Sequence, residues 1–263
     1  MSRLAPAFDR LRATKATGLV TYVTAGDPDL GRSRDVLLAL ARGGADVIEV
    51  GVPFSDPIAD GPAIQRASER ALAAGAHLEA SLDLVASVRP AIDVPLVLFT
   101  YVNPVLRLGV DAFVARAAAA GIDGVLLLDL PIEEAEPIRR AFDAHGIDQI
   151  FLISPTTTDT RLREAARLGR GFLYAISRLG VTGTRDAVAA TARPLVDRIR
   201  AATSLPIALG FGISRPEHVA EVAGFADAAV VGSAIVQQIA DAAQNGHDPA
   251  PAVERFVRWL KGR

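Results

Sequence analysis

The chain has 263 residues, of which 50% are hydrophobic, so it can bury a large core as one domain of α/β-barrel size or as two small domains. Its 28 Lys and Arg against 30 Asp and Glu give a formal net charge of −2, which excludes a general electrostatic attraction to nucleic acid or anionic membranes. The absence of cysteine excludes disulfides, thiolate nucleophiles and cysteine metal sites.

The amino-terminal segment, MSRLAPAFDRLRATKATG, is charged and amphipathic, and it lacks the apolar stretch of a secretion signal. No run of about 18 apolar residues, the length needed to span a membrane, occurs in the chain. We therefore expect a soluble, cytoplasmic protein. The first predicted element is a helix at roughly residues 2 to 13.

Short β-rich runs then alternate with helical runs such as GRSRDVLLALARGGA and GVDAFVARAAAAGI. The eight β-rich runs are, in order, GLVTYVTA, ADVIEVG, PLVLFTY, DGVLLLDL, DQIFLIS, GFLYAIS, PIALGFG and DAAVVGS. Each is nearly all apolar, which is typical of parallel strands covered on both faces. The pattern predicts a (β/α)8 TIM barrel with an extra amino-terminal helix, formed by residues 1–263 as a single domain. A doubly wound open sheet remains an alternative, although eight strands and the lack of an early G-x-G-x-x-G sequence argue against it.

The second β-rich run carries a carboxylate, Glu49, where a buried strand usually carries an apolar residue. Strand alternation places Val47, Glu49 and Gly51 on one face, and Ile48 and Val50 on the other. If the latter two face the helices, Glu49 points into the barrel near its catalytic end, where burial would raise its pKa. Such a group suits proton transfer near neutral pH, whereas the alternative is a carboxylate satisfied by an arginine or by water.

The loop after this strand, GVPFSDPIADGP, is made rigid by three prolines and carries Asp56 and Asp60. One of these aspartates is a candidate second carboxylate at the barrel mouth. The alternative is that both simply form turns or cap a helix.

Glycine-rich segments follow the last three predicted strands: GVTGT at 180–184, GFGIS at 210–214 and GSAIV at 232–236. Glycines let the backbone approach an anion closely, and Gly232 with Ser233 opens a helix whose free amides favour phosphate. This corner of a barrel often binds phosphate, so we expect a phosphate site here.

The predicted strands carry no lysine and have no histidine at their ends, which argues against two classes of mechanism. The lysines, Lys15 and Lys261, are both outside the predicted strands, which argues against a Schiff-base mechanism. None of the 4 histidines lies at a strand end, which argues against a metal-dependent reaction. Several aromatic residues lie near strand ends and are candidates for the wall of a substrate pocket, namely Tyr22, Phe99, Tyr101, Tyr174 and Phe211.

The segment VIEVGVPFSDPIADGPAIQRA closely resembles the signature of the tryptophan synthase alpha subunit family. YVTAGDPD precedes it, and YVNPVLRLG, LLLDLPIEEA, LISPTT, SRLGVTG and GFGIS follow, in the order of that family. The resemblance covers essentially the whole chain. It implies the cleavage of indole-3-glycerol phosphate to indole and glyceraldehyde 3-phosphate, without a cofactor or a metal.

The resemblance also implies roles for individual residues. Glu49 would be the acid/base that transfers the proton, and Asp60 would stabilise the charge that develops at the indole nitrogen. Thr182 would meet Asp60 when its loop closes over the site. The phosphate would be held by Gly183, Gly212, Gly232 and Ser233. The substrate pocket would be lined by Tyr22, Thr100, Tyr101, Leu126, Tyr174 and Phe211.

The family further implies a partner, the pyridoxal-phosphate beta subunit, in an α2β2 complex that passes indole from one subunit to the other. Segments 53–60 and 103–109 would contact it, with Asp56, Pro57, Asn103 and Pro104 at the interface.

Three other functions remain open from the sequence. The first is a different phosphate-binding barrel enzyme, such as an isomerase or an indole-glycerol phosphate synthase, although the latter would need a lysine at a strand end. The second is a catalytically silent barrel that regulates a partner. The third is an indole-releasing lyase that works without a beta subunit.

Overall fold

The computed structural model describes residues 2–176, 188–210 and 212–263. Eight strands form in this part of the chain, and each is parallel to the next, with the eighth closing on the first. They are β1 (Gly18–Thr24), β2 (Val47–Gly51), β3 (Leu96–Thr100), β4 (Gly124–Leu127), β5 (Asp148–Ile153), β6 (Leu173–Ile176), β7 (Ile207–Gly210) and β8 (Ala228–Val231). The predicted (β/α)8 barrel is confirmed, and closure between β8 and β1 excludes the open sheet.

Twelve α-helices lie in the described residues, with two short 3₁₀ helices at Arg89–Ala91 and Ile132–Glu134. The α-helices are α1 (Leu4–Thr14), α2 (Leu30–Gly43), α3 (Pro62–Ala73), α4 (Leu78–Val88), α5 (Val102–Leu108), α6 (Val110–Ala120), α7 (Ala135–Ala144), α8 (Asp159–Leu168), α9 (Val188–Ala202), α10 (Pro216–Val222), α11 (Ser233–Gln244) and α12 (Pro249–Leu260). Local chemistry sets several of their ends: Asp29, for example, caps α2 by accepting a hydrogen bond from the Arg32 amide.

Alternation along the strands divides the core into two layers. Ile48 and Val50 of β2 belong to the layer between the strands and the helices, whereas Val47 belongs to the layer inside the barrel. The inner layer is filled by small and branched side chains from successive strands, such as Val20 and Val97, so the barrel is packed rather than hollow. Each large apolar side chain buried in this way contributes roughly 1.5–3 kcal/mol.

Helix α1 closes the amino-terminal end of the barrel. Its Leu4, Phe8 and Leu11 belong to the inner layer, and the Phe8 ring lies 5.5 Å from that of Phe172, measured between centroids. Gly124 leaves room for this helix, because a Cβ there would lie 2.9 Å from Leu4 Cδ1. The predicted extra helix is confirmed, and it leaves the opposite end of the barrel for the site.

Three aspartates share one arrangement at the amino-terminal ends of the strands. Each directly precedes a strand, and its carboxylate accepts a hydrogen bond from a backbone N–H of the preceding strand while pairing with a basic side chain. The carboxylate and amide partners are Asp46 with Leu19 (2.7 Å), Asp123 with Leu96 (2.9 Å) and Asp227 with Ile207 (2.8 Å). These contacts fasten neighbouring strands together at the end opposite the predicted site.

Within the described residues, no single helix has the length and apolar character needed to cross a membrane, although the bent pair Pro62–Ala73 and Leu78–Ala91 meets that test jointly.

Candidate active site

A cavity of about 430 Å³ opens at the carboxyl-terminal ends of the strands. Five of the residues predicted to bind substrate line it, namely Tyr22, Tyr174, Gly212, Gly232 and Ser233. Tyr22 and Tyr174 lie on β1 and β6, Gly212 and Gly232 follow β7 and β8, and Ser233 begins α11. Because these strand ends converge at one mouth, residues far apart in the sequence meet there.

Glu49 lies beside this cavity and is completely buried. Its register partner on β1 is Tyr22, and alternation turns both side chains toward the barrel interior. Neither carboxylate oxygen has a hydrogen-bond partner among the described residues. Burial raises the pKa of Glu49 from 4.5 to about 8, because the charged form loses its hydration without gaining a counter-charge. At neutral pH the group is therefore mostly a neutral acid that can donate a proton and take one back.

Asp60 is half-buried in the loop after β2 and is held by Tyr101. The Tyr101 hydroxyl donates a hydrogen bond to Asp60 Oδ2 at 3.0 Å and accepts one from the Ala59 amide at 3.1 Å. Burial raises the pKa of Asp60, while the hydrogen bond from Tyr101 opposes that change. Tyr101, predicted as a substrate-binding residue, is thus in direct contact with the second predicted carboxylate.

Tyr22 and Tyr174 line the cavity, and their phenols feel the charges of the predicted carboxylates. The negative charges of Asp60 and Glu49 add to burial in raising the pKa of the Tyr22 phenol, and Glu49 raises that of Tyr174 in the same way. These effects require the charges to lie within electrostatic range of the phenols. Both carboxylates therefore act on the same region of the barrel mouth.

Among the described residues, three that were predicted to line the substrate pocket do not line this cavity, namely Thr100, Tyr101 and Leu126. Thr100 was expected in the pocket, but it faces the helix side of β3, as does its register partner Leu127 on β4. Phe99, one of the aromatic candidates from the sequence, does line the cavity, with its ring centroid 5.3 Å from that of Tyr22 and 6.5 Å from that of Tyr174. The alternation that placed Glu49, applied to β3 from the inward Val97, identifies Phe99 as the inward residue.

Leu126 is completely buried in the inner layer, where it is the register partner of Phe99. It packs within the barrel interior and does not line the cavity itself. Leu128, two residues later, packs against the same inner layer. Sequence reasoning did not single out Leu128.

The glycine-rich corner forms the far side of the cavity. Gly232 is the residue before α11, which begins at Ser233, so the amide-rich end of that helix opens at the cavity. Gly212 has φ of +56° with open space where a Cβ would lie, a conformation that favours glycine. An anion at this corner would meet backbone amides and the Ser233 hydroxyl.

Three predicted site residues, Thr182, Gly183 and Phe211, lie outside the described residues. The loop that carries Thr182 and Gly183 was also predicted to close over Asp60, and that prediction stays a prediction. Among the residues that the structure does describe, no group of three or more His, Asp or Glu side chains is arranged to hold a metal ion.

A second cavity, a groove of about 510 Å³, lies between the loop after β2 and helix α5. Of the residues predicted at a partner interface, Asn103 and Pro104 line this groove, whereas Asp56 and Pro57 lie on the adjacent loop. Two apolar side chains on these segments point into solvent: Ile58 is 88% exposed and Leu106 is 58% exposed. The sequence shows both residues, but their exposure depends on how the loop and α5 fold.

Gln65, in the first turns of α3, is a residue that sequence reasoning missed. Its side-chain amide reaches back to the loop that carries Asp60, donating to the carbonyl of Asp60 at 3.0 Å and to that of Pro57 at 3.4 Å.

Comparison with known proteins gives a consistent result. Residues 8–262 match the family model described as "Tryptophan synthase alpha chain". The chain is 51% identical over 263 residues to the tryptophan synthase alpha chain of Solibacter usitatus, covering 99% of this chain and 97% of that protein. Its structure resembles crystal structures of tryptophan synthase subunit alpha from Legionella pneumophila (TM-score 0.90, 37% identity, 100% and 98% coverage) and of Mycobacterium tuberculosis tryptophan synthase (0.89, 39%, 99% and 97%).

Proposed function

The chain belongs to the tryptophan synthase alpha chain family, and from that premise we propose that it cleaves indole-3-glycerol phosphate into indole and glyceraldehyde 3-phosphate. The observation that carries this proposal is Glu49, a fully buried carboxyl group without a hydrogen-bond partner in the described residues, beside the cavity at the barrel mouth. An ionisable group is costly to bury without a partner, so its presence there supports a chemical use.

The reaction breaks the bond between indole C3 and the neighbouring carbon of the glycerol chain. Neutral Glu49 donates its proton to C3, and the ring nitrogen acquires positive character. The neighbouring hydroxyl then returns a proton to the carboxylate and becomes the aldehyde, while the electron pair of the broken bond returns to the ring. Proton transfer of this kind typically contributes about 10² to 10⁴ in rate.

Asp60 stabilises the positive indole ring as an ionised carboxylate near its nitrogen. Its half-buried position supports this role, since a charge interaction is stronger where water is partly excluded. The hydrogen bond from Tyr101 favours the ionised form, as the role requires.

The cavity suits the two ends of the substrate. Tyr22, Phe99 and Tyr174 supply aromatic surface for the indole, and Gly212, Gly232 and Ser233 supply a backbone corner for the phosphate. The charges of Glu49 and Asp60 both act on the phenol of Tyr22, which lines this cavity, so a substrate that spans the cavity would lie near both carboxylates.

The test is release of indole from indole-3-glycerol phosphate by the purified chain, followed with and without the beta subunit. We expect turnover that increases when the beta subunit is added. The absence of indole under both conditions would contradict the lyase proposal and leave a silent regulatory barrel or another phosphate-binding enzyme. High turnover that the beta subunit does not change would indicate a lyase that works alone.

Replacing Asp60 with asparagine should lower kcat by about 10- to 100-fold, because the amide keeps the shape but loses the charge that stabilises the ring. The affinity for glycerol 3-phosphate, which carries the phosphate but no indole, should change by less than about twofold. Steady-state kinetics and calorimetric titration measure the two quantities. Equal losses in kcat and in phosphate-ligand affinity would assign Asp60 to general folding of the mouth instead.

The partner in this proposal is the beta subunit of tryptophan synthase, a pyridoxal-phosphate enzyme, in an α2β2 complex. Exposed Ile58 and Leu106 beside the groove support a contact surface for it on segments 53–60 and 103–109. Direct transfer would keep released indole, a small apolar molecule, from being lost by diffusion. We place the complex in the cytoplasm, which a sequence without cysteine suits.

Replacing Ile58 with serine should weaken binding of the beta subunit by about 10- to 100-fold, because an isoleucine buried in an interface contributes roughly 1.5–3 kcal/mol. The matched control is Trp259→Ser on α12, where the side chain is 47% exposed but far along the chain from both segments. Calorimetric titration of each variant with the beta subunit measures the change. A larger loss for Trp259→Ser would place the interface on α12.

A further inference from the structure

The turn at residues 57–60 carries Asp60 at its end and projects from the barrel mouth. The Asp60 amide closes the turn on the Pro57 carbonyl at 3.0 Å, and Ile58 and Ala59 at its tip are exposed. A turn with so little buried side chain is not fixed by core packing. Its position therefore depends on the hydrogen bonds that reach it from outside.

Two side chains supply such bonds, and they hold different parts of the turn. Tyr101 holds the Asp60 carboxylate and the Ala59 amide. Gln65 holds the carbonyls of Asp60 and Pro57. The carboxylate of Asp60 is thus fixed by one side chain and the backbone beneath it by the other.

The contact made by Gln65 is specific to an amide. Both of its partners are carbonyl oxygens, so the group that faces them has to be the NH₂ end, which has two hydrogens to donate. Gln65 itself is fixed on α3, because its backbone amide donates to the Gly61 carbonyl at 3.0 Å. A glutamate at this position would place negative charge against two carbonyl oxygens, and an apolar residue would leave them without these donors.

We infer that Gln65 is a positioning residue for the lyase reaction: it fixes the backbone of Asp60 so that the carboxylate stays aimed at the substrate ring. This inference rests on the proposed function and adds a residue to it. The effect is expected in kcat, since a charge that stabilises the transition state loses its value when displaced, and displacements of about 1 Å can cost on the order of 10²-fold. Gln65 does not line the cavity, so it acts through Asp60.

The test compares Gln65→Met, which keeps the side-chain length but removes the donors, with Gln244→Met at the exposed end of α11. For Gln65→Met we expect kcat to fall about tenfold, as the loss of such a hydrogen-bonded contact implies. KM and the affinity for glycerol 3-phosphate should stay within about twofold. The Gln244→Met control should behave as the parent chain does. Amide hydrogen exchange of the segment 57–61 should become faster in Gln65→Met only.

A double-substitution cycle separates positioning from a general structural role. In the Asp60→Asn background, adding Gln65→Met should lower kcat by less than about twofold, because the carboxylate that Gln65 positions is already gone. The same tenfold loss in both backgrounds, or full activity of Gln65→Met in the parent chain, would overturn the positioning role while leaving the lyase reaction in place. If the parent chain releases no indole, either alone or with the beta subunit, the proposed function is wrong. Gln65 then has no role in that reaction, even if hydrogen exchange shows that it orders the turn.

Discussion

Replacing Glu49 with glutamine is expected to lower kcat for indole release by about 10² to 10⁴-fold while stabilising the folded chain at alkaline pH. Glutamine has nearly the same shape and is never charged, so the cavity should keep its form and its affinity for glycerol 3-phosphate. Activity falls because the amide cannot donate a proton to indole C3 and recover it from the hydroxyl. Kinetics of the two proteins at equal pH measure the effect.

The gain in stability follows from the pKa of the buried group. The pKa of Glu49 is about 8 in the folded chain against 4.5 for an ordinary glutamate, so between these values the folded state binds more protons than the unfolded state. The stability of the parent chain therefore falls by up to about 1.4 kcal/mol per pH unit as pH rises from near 4.5 to near 8, a decrease absent from Glu49→Gln. Below pH 4.5 Glu49 is protonated in both the folded and the unfolded state, so it no longer makes stability depend on pH.

Urea unfolding of both proteins at several pH values tests this sign, with Glu69→Gln as a control for loss of an exposed glutamate. We expect the advantage of Glu49→Gln over the parent to grow with pH up to about 8 and then to level off. In the parent, kcat/KM should fall above that pH, where Glu49 has lost the proton it donates. An advantage independent of pH would show that the pKa of Glu49 is the same in the folded and unfolded states, so that burial does not raise it.

Replacing Asp123 with alanine should destabilise the chain by about 3–5 kcal/mol, the largest stability loss we expect from one substitution of a charged residue here. Asp123 is 2% exposed, and its carboxylate accepts hydrogen bonds from the amides of Leu96 and Arg3 and pairs with Arg3 and Arg89. Removing it leaves the half-buried Arg89 and the buried Leu96 amide without that partner. Asparagine, which still accepts hydrogen bonds, should cost less.

The control is Asp83→Ala, which removes a surface pairing with Arg116, where the aspartate side chain is 75% exposed. An exposed pair of this kind contributes about 0–1 kcal/mol. Urea unfolding at constant pH and salt gives both free energies of unfolding. If Asp123→Ala costs no more than Asp83→Ala, the strand-end aspartates do not fasten the barrel.

The barrel was predictable from the sequence because its strands are apolar on both faces and alternate with helical segments. Alternation also located Glu49, since its neighbours Ile48 and Val50 need the helix-facing layer. The same rule explains the error at Thr100, whose odd spacing from the inward Val97 turns it toward the helices and leaves Phe99 in the cavity. Helix α1 begins at Leu4 and ends at Thr14, close to the expected bounds.

The contacts of the Asp60 turn could not be predicted in this way. Tyr101 is 41 residues from Asp60 along the chain. Their hydrogen bond forms because β2 and β3 are neighbouring strands, so the segments that follow them lie side by side at the barrel mouth. The hydrogen bonds that the Gln65 side chain donates cannot be predicted from the sequence pattern, because a glutamine early in a helix is usually a surface residue. The catalytic roles of Glu49 and Asp60, and the single domain over residues 1–263, stay predictions.

Helix α1 and the inner layer of side chains determine from which end of the barrel a ligand can reach the cavity. Because Leu4, Phe8 and Leu11 fill the far end and Val20, Val47 and Val97 fill the middle, the described part of the barrel offers no route through its axis. In the part of the chain that the structure describes, a molecule in the cavity therefore cannot pass along the barrel axis toward helix α1. Exchange of ligands at this end has to take place on the carboxyl-terminal side of the strands, so a partner bound at that rim would affect both binding and release.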